Sequence, residues 1–216
     1  MMIFIVSGLA FWLFINLAYF LAEKAPVPSR YLVVEGWLDR SGLEQALTIF
    51  NQDGYELLIT TGGPDPGNFN MQYTTYAEQA GAELKKMGLE PSNLMMVPAP
   101  ASAQERTYLS AVMVRVKLAE AKPLPDSINV FSADVHARRT HLLYQLAFRE
   151  TPTQVGVLAA HPGRFSLARW WQTSEGAKSV LTELIGWLWV KCFFEPGEVD
   201  SHRERWGQYD TAVDHN

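Results

Sequence analysis

The sequence predicts a Rossmann-like three-layer α/β/α fold with a mostly parallel sheet of about five strands. Short runs of aliphatic residues alternate along the chain with longer amphipathic stretches, which is typical of parallel strands connected by helices. The aliphatic runs are followed by turn-forming or polar residues, and the amphipathic stretches are long enough for helices. A long uncharged stretch precedes the first run and predicts one further helix, a transmembrane one, at the N-terminus.

The individual elements follow from this alternation. Strands are predicted at residues 31–34, 56–61, 94–97, 127–131 and 155–159. Helices of the α/β domain are predicted at residues 41–51, 73–87, 103–121, 136–148 and 174–194. The last helix has an apolar stripe that includes Leu181, Ile185 and Leu188. The stripe favours packing in the core, and the alternative is contact with a membrane or with the N-terminal segment.

Residues 1–22 contain no charged side chain and, as a helix, would extend about 33 Å, enough to cross a bilayer core of about 30 Å. A cleavable signal peptide is the alternative, but no basic residue precedes the apolar run. We therefore expect a transmembrane anchor at 1–22 and a linker at 23–29. The α/β domain is expected at 30–195, with a charged tail at 196–216.

Charge and cysteine content exclude several classes of function. The net charge of −5 disfavours a nucleic-acid-binding protein, and the single cysteine, Cys192, excludes an intramolecular disulfide. His141 and His161 stand alone in the sequence, so no metal site is predicted. The chain also lacks a phosphate-binding Walker loop, a G-x-G-x-x-G dinucleotide fingerprint and a G-x-S-x-G nucleophile elbow.

Candidate ligand-binding residues lie where the strands end, because open α/β sheets bind ligands outside their strand carboxyl ends. Arg106 lies in the first turn of one predicted helix, and His136, Arg138 and Arg139 lie in the first turn of another. The helix dipole disfavours cations there, whereas an anion bound at the same place would be stabilised by both. This pattern favours an anion site. The alternative is that the arginines form ion pairs with carboxylates such as Glu35, Asp39 or Asp134.

Other residues complete the candidate site. Gly62 and Gly63 follow the second strand and allow the backbone to approach an anion closely. Glu35 or Asp39 could act as a general base, and His136 as an acid or base. Glu105 follows Ser102 by three residues, so it could equally form a capping box.

Several of these motifs together resemble the ElyC/SanA/YdcF family of bacterial proteins over roughly residues 30–190. The motifs are Val33-Val34-Glu35-Gly36, Thr61-Gly62-Gly63, Arg106-Thr107-Tyr108-Leu109-Ser110-Ala111 and Ser132-Ala133-Asp134-Val135-His136-Ala137-Arg138-Arg139. His136, Arg139, Thr107 and the two glycines match the polar and glycine positions of the family. The sequence departs from the family at Ser110, where an asparagine is expected, and at Thr75 or Tyr76, where an acidic residue is expected.

The resemblance implies a Rossmann-like domain that works in peptidoglycan, surface-polysaccharide or lipid-carrier metabolism. It also implies a membrane-attached protein whose domain lies in the periplasm, whereas Lys24 and Arg30 weakly favour the cytoplasm. The expected partners are a membrane and a small anionic ligand, such as a lipid- or sugar-linked phosphate. Glu35 and His136 are the expected catalytic residues, and the expected ligand-binding residues are Gly62, Gly63, Arg106, Thr107, Arg138 and Arg139.

No cofactor is assigned by these patterns. One branch of the family is thought to bind S-adenosylmethionine, so a non-catalytic module that binds a nucleotide or S-adenosylmethionine is the alternative function. A membrane-tethered scaffold is a third possibility.

Overall fold

The computed structural model describes residues 2–65, 73–101, 105–120 and 122–206, with side chains from Ser7 onward. Its sheet has five strands, all parallel, in the order β3-β2-β1-β4-β5. The strands are β1 (Tyr31–Glu35), β2 (Leu57–Gly62), β3 (Leu94–Pro98), β4 (Ser127–Ser132) and β5 (Gln154–Ala159). The helices are α1 (Met2–Leu21), α2 (Arg40–Gln52), α3 (Tyr76–Lys86), α4 (Arg106–Glu120), α5 (Ala137–Ala147), α6 (Ser174–Phe193) and α7 (His202–Trp206).

Helices cover both faces of the sheet, so the predicted Rossmann-like α/β fold is confirmed. One face packs against α2 and α3, and the other packs against α4, α5 and the end of α6. Side chains alternate between the faces along β1: Leu32 and Val34 pack towards α2 and α3, whereas Val33 packs towards α4 and α5. By the same alternation Glu35, two residues after Val33, lies on the α4 and α5 side. The strand order reverses between β1 and β4, where such folds bind ligands.

The N-terminal helix packs on the domain through its last turn. Ala18 and Leu21 are fully buried in a cluster that also contains Val135 and Trp170. In the described part of the chain, no helix combines the length and the apolarity that crossing a membrane requires. The transmembrane anchor predicted for residues 1–22 is therefore not found.

The predicted linker is held against the sheet. Ala25 forms an antiparallel bridge with Val157 of β5. The backbone N–H of Val27 donates to the side chain of Asn129, whose amide donates back to the carbonyl of Val27. Residues 25–27 thus extend the edge of the α/β domain.

The charged tail also belongs in part to the domain. Glu204 in α7 is buried and accepts two hydrogen bonds from the Arg115 guanidinium of α4, at 2.8 and 2.7 Å. Tyr108 donates a further hydrogen bond to Glu204, at 3.2 Å. These contacts fix α7 on α4, and residues 207–216 lie outside the described part of the chain.

The apolar stripe of α6 is not buried as predicted. Ile185 is 68% exposed, and Leu181 and Leu188 are also exposed, so the prediction of core packing is wrong for these residues. The neighbouring part of the helix meets the N-terminal helix instead, since Trp187 packs edge-on against Phe20 at a centroid distance of 5.2 Å. Contact with the N-terminal segment was the alternative interpretation of this stripe.

Candidate functional site

A cavity of about 480 Å³ opens at the carboxyl ends of β1 and β2. We call it cavity A. It is lined by the residues that follow β1 and β2, by the start of α4, by the start of α5 and by one side chain of α6. Those that carry the chemistry are Glu35, Trp37, Gly62, Gly63, Glu105, Arg106, Thr107, His136, Arg139 and Glu183.

Glu35 is the last residue of β1 and is only 3% exposed. Its Oε2 accepts hydrogen bonds from the hydroxyl of Ser132, at the end of β4, and from that of Thr140 at 3.3 Å. The chain then turns at Gly36, where a Cβ would lie 2.5 Å from the carbonyl oxygen of Tyr76. Only glycine fits this close approach of β1 to α3, so the sequence fixes where Trp37 emerges.

His136 lies at the floor of cavity A, at the end of a short 3₁₀ turn (Asp134–His136) that precedes α5. It is 8% exposed. Its Nδ1 lies 3.0 Å from Oε1 of Glu183, and its Nε2 lies 3.7 Å from Oε1 of Glu35. That second distance is too long for a hydrogen bond, and Nε2 has no hydrogen-bond partner among the described residues. Trp37 packs against the imidazole at right angles, with ring centroids 5.1 Å apart.

The two carboxylates set the charge of His136. Burial by itself lowers the pKa of the imidazole, but the charge of Glu35 and the hydrogen bond to Glu183 outweigh it and raise the pKa to about 9. Burial acts in the opposite direction on Glu183, where hydrogen bonds from His136 and Arg139 bring the pKa down to about 2. At neutral pH the pair is therefore an imidazolium and a carboxylate.

This charge state also assigns the hydrogen bonds around Nδ1. Nη2 of Arg139 lies 2.9 Å from Nδ1 of His136, and Oε1 of Glu183 lies 3.0 Å from the same atom. A protonated Nδ1 donates to Glu183 and cannot accept from Arg139. The second proton of the imidazolium, on Nε2, then points into the site without an acceptor.

Arg139 is held by Glu183 in a two-point ion pair. Its Nε and Nη2 donate to the two carboxylate oxygens at 2.8 and 3.1 Å. Burial lowers the pKa of the guanidinium, but Glu183 and the more distant Glu35 and Glu105 raise it overall. Arg139 lines cavity A as predicted for a ligand-binding residue, yet most of its charge is already matched by a protein carboxylate.

Arg138 lies outside cavity A. Its guanidinium stacks over the ring of Phe20 at 3.9 Å, contacts the carboxylate of Glu23 at 3.3 Å and donates to the backbone carbonyl of Phe20. Its environment is therefore the end of α1. The predicted meeting of Arg138 with the other cations does not occur.

Arg106 is the first residue of α4 and is exposed at the mouth of cavity A. Within the described residues it takes part in no ion pair. The preceding Glu105 has a left-handed backbone, with φ of 43°, which costs a non-glycine residue of order 1–3 kcal/mol. Burial raises the pKa of the Glu105 carboxyl, against the opposing effect of Arg139. Ser102, the proposed partner of Glu105 in a capping box, lies outside the described residues.

The backbone of β2 forms another wall. Gly62 has φ of +149°, and a Cβ there would lie 2.8 Å from Cβ of Tyr76. Gly63 and Thr107 lie beside it on the lining of the cavity. Asp39, the alternative general base, is elsewhere, because it caps α2 by accepting from the N–H of Gly42 at 2.9 Å.

Glu183 is the functional-site residue that the sequence patterns missed. It comes from the middle of α6, far along the chain from the strand ends that predicted the other residues. The signal in the sequence is a single acidic residue within the otherwise apolar or uncharged segment 184–190 and its preceding turn. A carboxylate at such a position requires a cation or donor nearby, which His136 and Arg139 supply.

Comparison with known proteins assigns no family. No protein-family model matches the chain, and no curated protein matches it. Among solved structures, it is similar to the crystal structure of a pantoate-beta-alanine ligase (pantothenate synthetase) from Thermus thermophilus, at 14% identity and a TM-score of 0.36. That match covers 76% of this chain and 68% of the other. Among the described residues, no cluster of His, Cys, Asp or Glu side chains could hold a metal ion.

Proposed function

We propose that cavity A binds a small anionic ligand, such as a phosphate ester, and that His136 donates a hydrogen bond to it from Nε2. The observation that carries the proposal is a buried imidazolium whose Nε2 proton lacks an acceptor among the described residues. A buried donor left unpaired costs about 1–3 kcal/mol, so a ligand oxygen at this place would recover that energy. Arg106, exposed at the mouth, supplies a second positive charge.

The same arrangement supports proton transfer to the ligand. Glu183 accepts from Nδ1 and so fixes the orientation of the imidazole, as a carboxylate does for a catalytic histidine. An imidazolium held in this way can protonate a leaving oxygen through Nε2. Glu35, 3.7 Å away, is placed to stabilise the charged ring and, as the candidate base, to receive a proton from an attacking group.

Calorimetric titration with inorganic phosphate tests the proposal. We expect saturable binding to the unchanged protein, and a loss of about 10- to 100-fold in affinity in R106A or H136Q, the range for one charge-assisted hydrogen bond. R40A is the matched control, because Arg40 is also the exposed first residue of a helix but does not line cavity A. Phosphate binding that survives both cavity substitutions would refute the proposal. Tight binding of a nucleotide or S-adenosylmethionine, independent of Arg106, would instead support the alternative function.

We further propose that the protein works at the bacterial envelope, in cell-wall, surface-polysaccharide or lipid-carrier metabolism, with its domain in the periplasm. The support is the resemblance of the motifs around Glu35, Gly62, Thr107 and His136 to ElyC/SanA/YdcF proteins. Attachment to a membrane is supported by α1, where the apolar side chains of Leu9, Trp12 and Leu13 are all more than half exposed in the absence of charged residues.

Flotation with lipid vesicles tests the attachment. The protein is expected to float with the vesicles, and replacing Leu9 and Leu13 together by glutamate should leave it at the bottom of the gradient. Gln52→Glu, at the end of α2, is a control that adds a charge away from α1. A protein that does not float contradicts membrane attachment while leaving the anion site unaffected.

A further inference from the structure

A second cavity, of about 560 Å³, lies on the other side of the point where the strand order reverses. We call it cavity B. It is lined by the loops after β1, β4 and β5, the start of α2 and the first turns of α6. Cavities A and B share three lining residues: Trp37, His136 and Glu183. One ligand in such a fold commonly spans both sides of the strand reversal.

The lining of cavity B differs in charge from that of cavity A. Its cations are Arg164 and Lys178, but Arg164 already lies 3.8 Å from the carboxylate of Glu175. Asp39 and Asp134 add acidic groups. Positive charge therefore does not dominate, and a second phosphate group would not be favoured here.

Cavity B instead offers a mixture of donors and acceptors. The hydroxyls of Ser41, Ser179 and Thr182 line it beside the ammonium of Lys178. Within the described part of the chain, none of these four groups takes part in a hydrogen bond or ion pair through its side chain. Sugar hydroxyls both donate and accept, so a polyhydroxylated ring matches such a lining better than an apolar group or an anion does.

Trp37 lies between the two cavities. It is 41% exposed, and its position is fixed by the tight turn at Gly36, whose N–H donates to the carbonyl of Thr61 at 2.7 Å. An exposed aromatic ring with a rigid backbone gives a ligand ring an apolar surface at little cost in conformational entropy. The C–H face of a sugar is suited to that contact.

Resting on the proposed function of cavity A, we propose that cavity B binds the hydroxylated ring of the same ligand, which makes the ligand class a sugar phosphate. The phosphate lies near Arg106 and Nε2 of His136, and the ring lies past Trp37 towards Lys178 and Thr182. The two cavities then act as subsites for the two ends of one molecule.

Calorimetry with five probes tests this proposal: inorganic phosphate, glucose 1-phosphate, ribose 5-phosphate, glucose and phenyl phosphate. At least one sugar phosphate is expected to bind 10-fold or more tightly than inorganic phosphate, and more tightly than phenyl phosphate. In the double variant K178A/T182V that gain should disappear, with the affinity for inorganic phosphate unchanged. K191A is the matched control, since Lys191 is an exposed lysine of α6 outside both cavities.

The outcomes separate the two proposals. If inorganic phosphate binds but neither sugar phosphate binds more tightly, the subsite in cavity B is refuted and the anion site stands. A sugar phosphate whose advantage survives K178A/T182V also refutes it, because the ring then lies elsewhere. Stronger binding of phenyl phosphate than of both sugar phosphates would show that the second subsite recognises an aromatic ring, against the proposal. Absence of any phosphate binding refutes the function proposed for cavity A.

Discussion

Replacing Glu183 by glutamine is the sharpest test of how cavity A is charged. The carboxylate lies 3.0 Å from Nδ1 of His136, and glutamine keeps its size while removing its charge. A hydrogen bond between charged groups contributes about 1.5–3 kcal/mol. At 1.36 kcal/mol for each pH unit, its loss should bring the pKa of His136 from about 9 down to about 7–8. Burial and the charge of Glu35 remain, so the pKa should not collapse further.

The assay is an NMR titration of the histidine ring protons, with the His136 signals assigned by their absence in H136Q. His141, which lies 3.0 Å from Glu23 and not near Glu183, is an internal control whose titration should not change. Glu183→Asp keeps the charge and should leave the pKa of His136 between those of the other two proteins. If E183Q leaves the titration of His136 where it was, the proposed dyad does not control its charge and the mechanism fails.

Three further outcomes are expected. The folded-state pKa of His136, about 9 against 6.5, means that the stabilisation it supplies is complete below pH 6.5 and is lost as the pH rises through 9. Chemical denaturation should show a fall of about 3 kcal/mol over that window, absent in H136Q. Arg138→Ala should lower stability by about 1 kcal/mol through its lost contact with Phe20, with phosphate affinity unchanged in calorimetry. Glu204→Gln should cost about 3–5 kcal/mol in urea unfolding, because Arg115 would stay buried without its carboxylate; a neutral result would contradict the buried pair.

The sequence predicted the sheet and most of cavity A because both depend on local patterns. Aliphatic runs mark the parallel strands, and the carboxyl ends of those strands meet at one edge of the sheet. Glu35, Gly62 and His136 follow three different strands and all line cavity A. Arg106 joins them because its helix begins at that edge. Whether these residues bind or catalyse stays a prediction.

What the sequence could not give depends on contacts between distant segments. Arg138 and Arg139 are adjacent, and consecutive helical residues point about 100° apart, so only one of them can face the cavity. The choice depends on α1, whose Phe20 and the following Glu23 hold Arg138. In the same way, an apolar stripe on α6 does not show which part of it α1 covers.

The ion pair between Arg139 and Glu183 changes how the anion site should be understood. Two interpretations of Arg139 followed from the sequence, as a ligand-binding cation or as the partner of a protein carboxylate. The structure shows the second contact directly, with both carboxylate oxygens engaged. The charge of Glu183 is thus divided between Arg139 and His136, and the charge of Glu35 lies beside His136. Of the cations lining cavity A within the described residues, Arg106 alone is left without a protein carboxylate, so it should govern affinity for the anion. Arg139 acts one step removed, by holding Glu183 where it can orient the imidazolium.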